Sequence, residues 1–325
     1  MLFIDRGIHF QEAKMDIQYL LWLQDFRNSI NGALDPFVEW ISLFGIREAL
    51  MLPVFVYWCL NKRKGLFILY AWKISQTINA LVKLTACVYR PWVRDPRIIP
   101  AGDSMKTAGG YSFPSGHTMM AAPIYCGMAT CTKNKLIRAF WVVMILLLMV
   151  SRNYLGVHTP QDVVVGLVLG VLSLYIAHWA LSWIDRHPEK DDLVMLISGL
   201  AGSLTLVYVV YKPYPMDYVD GKLLVDPNKM TIDAWGDAGA MATFALCWYI
   251  ESRFIKFKET GFGVKGIILC ALGMLPLYWL IWNIGGIMSG IFGAHVGKFM
   301  AKSAQIVFIM VIWPIVIKLF SGKKD

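Results

Sequence analysis

Lys83-x6-Arg90-Pro91, Pro114-Ser115-Gly116-His117 and Ser151-Arg152-x5-His158-x3-Asp162 punctuate residues 83–162, a stretch that is otherwise rich in apolar side chains. Each cluster stands at the edge of a long hydrophobic segment. Together they collect the cations Lys83, Arg90 and Arg152, the imidazoles of His117 and His158, and the carboxylate of Asp162. Charge at the rim of an apolar segment is costly unless it is used, so the clusters mark a functional site. The remainder reads as the scaffold that brings them to one surface.

That scaffold is a membrane one. Of 325 residues, 57% are hydrophobic and 16% charged, against about 25% charged in a water-soluble domain; the mean hydropathy is +0.53. The 13 Trp and 14 Tyr suit aromatic belts as well as core packing. A formal charge of +9 invites a nucleic-acid reading, but the cations are scattered between apolar runs, as a positive-inside distribution scatters them. No nucleic-acid partner is expected. The six cysteines form no CxxC pair and read as packing residues, with neither zinc nor disulfides implied. The start, Met1-Leu2-Phe3-Ile4-Asp5-Arg6, lacks the apolar run and small-residue site of a cleavable leader.

Residues 1–45 carry two amphipathic patterns fit for helices lying at the interface, the second opened by Asp35-Pro36. Apolar runs then fall at 46–60, 65–88, 116–132, 138–153, 162–184, 193–212, 234–251, 264–283 and 299–320. The expected architecture is therefore an all-α polytopic membrane protein with about nine transmembrane helices. Its core is residues 46–185, and 186–325 add further C-terminal helices. Basic connections at Lys62–Lys64, Lys133–Arg138, Arg253–Lys258 and Lys318–Lys324 share one side in this count. That side and the C-terminus are expected to be cytoplasmic, with the three clusters on the external face of the cell (inner) membrane.

Taken singly, each cluster has a plain reading. Lys83 and Arg90, two helical turns apart, either grip an anion or snorkel to the interface. Ser115 caps the helix that follows, and the free N–H groups of a first turn bind phosphate, with His117 placed to donate a proton. Asp162, four residues after His158, either orients its ring or caps the helix that begins near Pro160. Jointly they supply cations, backbone donors, an acid and an oriented nucleophile, which are the parts of a phosphoryl-transfer site. HxH, HExxH and DxD spacings are absent, which disfavours metal-assisted hydrolysis.

The triple motif resembles the signature of the type-2 phosphatidic acid phosphatase superfamily, which includes membrane lipid phosphatases, glucose-6-phosphatase and vanadium haloperoxidases. The resemblance covers roughly residues 40–185. It implies that His158 forms a phosphohistidine supported by Asp162, and that His117 protonates the leaving oxygen. It further implies that Lys83, Arg90, Ser115, Gly116 and Arg152 hold the phosphoryl oxygens, and that no metal or other cofactor takes part. Two helices before the first motif and nine in all resemble glucose-6-phosphatase more than the six-helix bacterial lipid phosphatases. The expected function is hydrolysis of a lipid phosphate or isoprenoid diphosphate. A small-molecule (sugar) phosphatase or lipid phosphotransferase is the enzymatic alternative, and a phosphate-recognising transporter or binding protein the alternative of another class.

Overall fold

The computed structural model describes residues 6–219 and 221–320; the expectations for Met1–Asp5 and for Lys323 and Lys324 lie outside the described residues. The fold is all-α. In chain order the helices are α1 (Arg6–Ser29), α2 (Asp35–Phe44), α3 (Met51–Phe55), α4 (Lys62–Ala86), α5 (Pro91–Arg94), α6 (Gly116–Thr130), α7 (Lys135–Tyr154) and α8 (Pro160–Arg186). They continue with α9 (Asp191–Tyr211), α10 (Pro227–Ile250), α11 (Val264–Phe292), α12 (Ala294–Val307) and α13 (Trp313–Phe320). A two-residue hairpin, β1 (Tyr218–Val219) on β2 (Lys222–Leu223), precedes α10.

Local chemistry sets the ends. The Asn61 side chain accepts from Lys64 N at 2.8 Å to start α4. Asn134 does the same for Leu136 N at 2.9 Å, and Asp226 for Asn228 N at 3.0 Å. Proline opens α5, α8 and α10, where its missing N–H costs nothing. Cys87, in the left-handed region at φ 48°, ends α4 with its N–H on Lys83 O at 3.0 Å.

Among the described residues six helical segments, not about nine, are long and apolar enough to cross a bilayer: Asp35–Leu60, Lys135–Tyr154, Pro160–Arg186, Pro188–Tyr211, Val264–Phe292 and Ala294–Phe320. The expected count is corrected at α4, α6 and α10. With 15 residues, α6 rises about 22 Å, short of a hydrocarbon layer of about 30 Å. Along α4 stand Lys73, Gln76, Asn79 and Lys83, and along α10 Asp233 and Asp237. These three are inner helices. α4 packs against α6, α8 and α10, and most of its side chains are buried.

The outer helices turn their apolar side outward. On α8, Val164, Val168 and Leu172 are exposed at i, i+4 and i+8, while Gly166, Gly170 and Ser173 face the interior. Small residues inside and branched ones outside are what lipid contact and close helix packing together require. The chain is an integral membrane protein. Its core is aromatic and aliphatic: Tyr70 stacks on Phe244 with centroids 5.9 Å apart, and Trp58 Nε1 donates to Ile309 O at 2.9 Å.

The basic connections gather at one end of the bundle. Lys62 pairs with Glu251 at 2.5 Å, Lys64 Nζ donates to Cys131 O at 3.1 Å, and Lys318 Nζ donates to Ile255 O at 2.5 Å. That end lies at the start of α4, and Lys83 lies at its finish.

Candidate active site

Three helix ends and one loop meet where α4 finishes. Arg90, in extended conformation before Pro91, points its side chain back under the loop. Its Nε donates to Gly110 O at 2.9 Å and its Nη1 to Val157 O at 2.9 Å. Ser112 N donates to Val88 O at 2.7 Å, folding the loop onto the end of α4. On the outside, Asp16 of α1 pairs with Arg94 at 3.0 Å, and Arg27 Nη2 donates to Ile99 O at 2.9 Å.

His158 is buried in the turn between α7 and α8. Its Nε2 lies 2.9 Å from Arg90 Nη1, and its Nδ1 lies 3.2 Å from Asp162 Oδ2. A guanidinium only donates, so Nε2 presents its lone pair and Nδ1 carries the hydrogen, donated to the carboxylate. Asp162 Oδ2 also accepts from Ser112 Oγ at 2.5 Å and Thr159 N at 3.0 Å. One carboxylate oxygen of Asp162 thus contacts both the His158 ring and the Thr159 N–H at the start of α8. Its main-chain oxygen accepts from Ser115 N at 2.9 Å, locking the start of α8 to the start of α6. Burial, then the charges of Arg90, Arg152 and Lys83, hold the His158 imidazole well below its usual pKa. The ring is therefore neutral at neutral pH, with an unprotonated Nε2 whose lone pair accepts from Arg90.

The Lys83 ammonium donates to Pro114 O at 2.6 Å, Tyr111 O at 2.8 Å and Ser112 O at 3.4 Å. All three of its hydrogens are engaged, so it holds the turn that presents Ser115 and contributes charge to the site. Ser115 is fully buried, and its Oγ accepts from Thr118 Oγ1 at 3.1 Å and Thr118 N at 3.4 Å. That leaves the first-turn backbone at Gly116 as the donor surface.

His117 is buried, and its Nε2 has no partner among the described residues. Arg152 is 1% exposed. Its Nη1 donates to Ser42 Oγ, while Nε and Nη2 are buried without partners among the described residues. Orphaned donors on a buried cation cost more than an ordinary lost hydrogen bond, and phosphoryl oxygens are the acceptors that fit them.

Lys83, Arg90, Gly116, His117 and His158 line one cavity of about 600 Å³, with Ser115, Arg152 and Asp162 standing behind its wall. The sequence reading missed three residues here: Ser112, which holds the carboxylate; Ser42, which holds Arg152; and Asn153, whose Nδ2 donates to His158 O at 2.9 Å. Among the described residues, no three His, Cys, Asp or Glu side chains gather as a ligand set.

Residues 64–186 match the family model described as the PAP2 superfamily. The chain is 27% identical over 150 residues to the bacitracin transport permease protein BcrC of Bacillus licheniformis, covering 45% of this chain and 71% of that protein. It is 29% identical over 135 residues to phosphatidylglycerophosphatase B of Bacillus subtilis (strain 168), covering 39% of this chain and 62% of that protein. No solved structure matches. The site built from the ends of α4, α6, α7 and α8 lies inside the matched segment, and it is through residues 64–186 that the chain belongs to the PAP2 (type-2 phosphatidic acid phosphatase) superfamily.

Proposed function

We propose that the chain hydrolyses a lipid phosphate monoester or isoprenoid diphosphate through a phosphohistidine on His158. The observation that carries this reading is the placement of His158: its Nε2 lies 2.9 Å from Arg90 Nη1, which can only donate to it, and its Nδ1 lies 3.2 Å from Asp162 Oδ2. Nε2 attacks phosphorus and the bond from phosphorus to the leaving oxygen breaks; His117, which burial and the site's cations hold well below the usual imidazole range, takes up a proton with the phosphate dianion beside it and gives that proton to the leaving oxygen. Water then attacks the phosphohistidine, yielding its proton to His117 as the N–P bond breaks. Arg90, Arg152 and the α6 first turn at Ser115 and Gly116 hold the equatorial oxygens, and Lys83 adds charge behind them. The name of one relative, a phosphatidylglycerophosphatase, supports a lipid phosphate.

A second reading, a small-molecule phosphate ester, has its own observation: Gln76 and Asn79 line the same cavity with polar side chains. A chain that only recognised phosphate, as the name of the other relative, a transport permease, would invite, needs the cations but neither histidine. Purified protein is expected to release phosphate from at least one member of a panel of lipid, prenyl and sugar phosphates. That release should survive chelation, since cations and helix N–H groups supply the electrostatics. No release from any ester, or loss on chelation restored by one divalent ion, contradicts this reading.

The catalytic unit in this reading is residues 46–185, and its site faces away from the cytoplasm. The basic end formed by Lys62, Lys64 and Lys318 supports that orientation, because cationic connections stay cytoplasmic. In a cysteine-free background, single cysteines at Asp103 and Met216 are expected to react with an impermeant maleimide in sealed cells, and one at Lys258 only after permeabilisation. The reverse pattern overturns the orientation.

A further inference from the structure

The cavity does not stop at the phosphoryl site. Lys73, Gln76, Asn79 and Lys83 all line it, at spacings of three, three and four along α4. They form one polar stripe that descends about 15 Å from Lys83 to Lys73. Lys73 and Gln76 are each 1% exposed. Asn79 stands beside Gly116, where a Cβ would lie 3.6 Å from Asn79 Nδ2, so the stripe begins at the phosphate-holding turn. Gln76 Oε1 and Asn79 Oδ1 are buried without partners among the described residues.

Facing the stripe are α10 and α12, which lie outside residues 64–186. Their charges are already matched: Lys298 pairs with Asp233 at 2.9 Å and Lys302 pairs with Asp237. Lys73 is left over. It forms no ion pair among the described residues; its Nζ sits over the Trp72 ring, 3.7 Å from the centroid, a contact that offsets only part of the desolvation of a buried cation. A surplus buried lysine, whose pKa burial lowers to about 7, stands beside unpartnered amides in a cavity open to the reaction site; this is arranged for a polar ligand whose negative charge holds the amine protonated.

We propose that the α4–α10–α12 end of the cavity is a subsite for a second anionic group, borne by the leaving alcohol, with Lys73 as its counter-ion and Gln76 and Asn79 bonding hydroxyls in between. The proposal rests on the hydrolase reading of His158 and narrows its substrate to a phosphate monoester of a hydroxylated alcohol that ends in a second negative group. Two sources have this chemistry: a soluble polyol or sugar bisphosphate, and a lipid head group whose terminal phosphate is followed by a phosphodiester.

The test compares members of each pair on wild type, Lys73→Met and Lys73→Arg. The soluble arm uses fructose 1,6-bisphosphate against fructose 6-phosphate, and the lipid arm phosphatidylglycerol phosphate against phosphatidate in mixed micelles. Lys73→Met is expected to lower kcat/KM for the doubly anionic member about 10–100-fold more than for its partner, the loss of one charge-assisted contact. The change appears in the arm that supplies the true substrate, and Lys73→Arg should keep most of the preference. A second variant, Lys302→Met, frees Asp237 to neutralise Lys73 and should erase the preference by a separate route. Ratios that stay unchanged in both arms overturn the subsite, as they would if Lys73 only packed on Trp72. If wild type releases phosphate from nothing, the hydrolase reading fails. Calorimetric binding of the same pairs then reads the subsite, and equal affinities for wild type and Lys73→Met overturn it.

Discussion

His158→Ala is expected to lower turnover by about 10⁴–10⁶-fold, the range seen when a covalent nucleophile is removed and its binding site stays intact. The effect follows from geometry. The ring is oriented from one side by Asp162 Oδ2 and faces Arg90 on the other, and no neighbouring group in the cavity can take over attack from the same position. Because the loss is of the covalent step itself, it is expected with every leaving group. Acid quenching during turnover of labelled substrate should trap an acid-labile phosphoenzyme in the wild type and none in His158→Ala. Asp162→Asn keeps an acceptor for Ser112 and Thr159 but removes the charge that supports the imidazolium, and a large, incomplete loss is expected. Since burial and three cations hold His158 well below the usual imidazole range, its ionisation should place no acid limb on kcat/KM at the ordinary histidine value, in the wild type or in Asp162→Asn. A labelled phosphoenzyme persisting in His158→Ala assigns the nucleophile elsewhere.

The residues at the heart of this geometry were legible because each sits at a helix end, where spacing and proline fix what faces what. Asp162 four residues after His158, with Pro160 opening the helix between them, placed a carboxylate within reach of the ring, as its orienter or as a helix cap. What the sequence left hidden depends on contacts over long separations. Ser42 reaches Arg152 across 110 residues, and Ser112 reaches Asp162 across 50; a lone serine carries no periodic signal. Lys83 was legible as a cation near the site but not as one already saturated by the carbonyls of Tyr111, Ser112 and Pro114.

The helix count failed for a related reason. Hydropathy scores a helix as though its surroundings were lipid, whereas α4 and α10 are surrounded by other helices and a polar cavity. Lys73, Gln76 and Asp237 look like interruptions of apolar runs, and in the fold they are the lining of that cavity. The all-α class was insensitive to this error, since caps and prolines at Asn61, Asn134 and Pro160 define helices whatever lies around them.

His117→Ala is expected to cost about 10²–10⁴-fold with an alkyl leaving group, the worth of a positioned proton donor, and far less with a phenolic one. The two histidines are thereby separated by chemistry. An alkoxide leaves poorly unless it is protonated as the bond to phosphorus breaks, and the unpartnered Nε2 of His117, buried in the cavity wall, is the group available to do it. A nitrophenolate leaves without help, so p-nitrophenyl phosphate should narrow the His117→Ala defect substantially while leaving the His158→Ala defect at full size. Formation and decay of the phosphoenzyme should then come apart. With the activated substrate, His117→Ala should still form the intermediate but break it down slowly, because His117 also takes the proton from the attacking water. Rapid quench over the first turnovers reads both rates. If His117→Ala abolishes the phosphoenzyme with every substrate while His158→Ala retains it, the two roles are exchanged. If the defect of His117→Ala is the same for alkyl and phenolic esters, His117 positions the phosphate and does not protonate the leaving group.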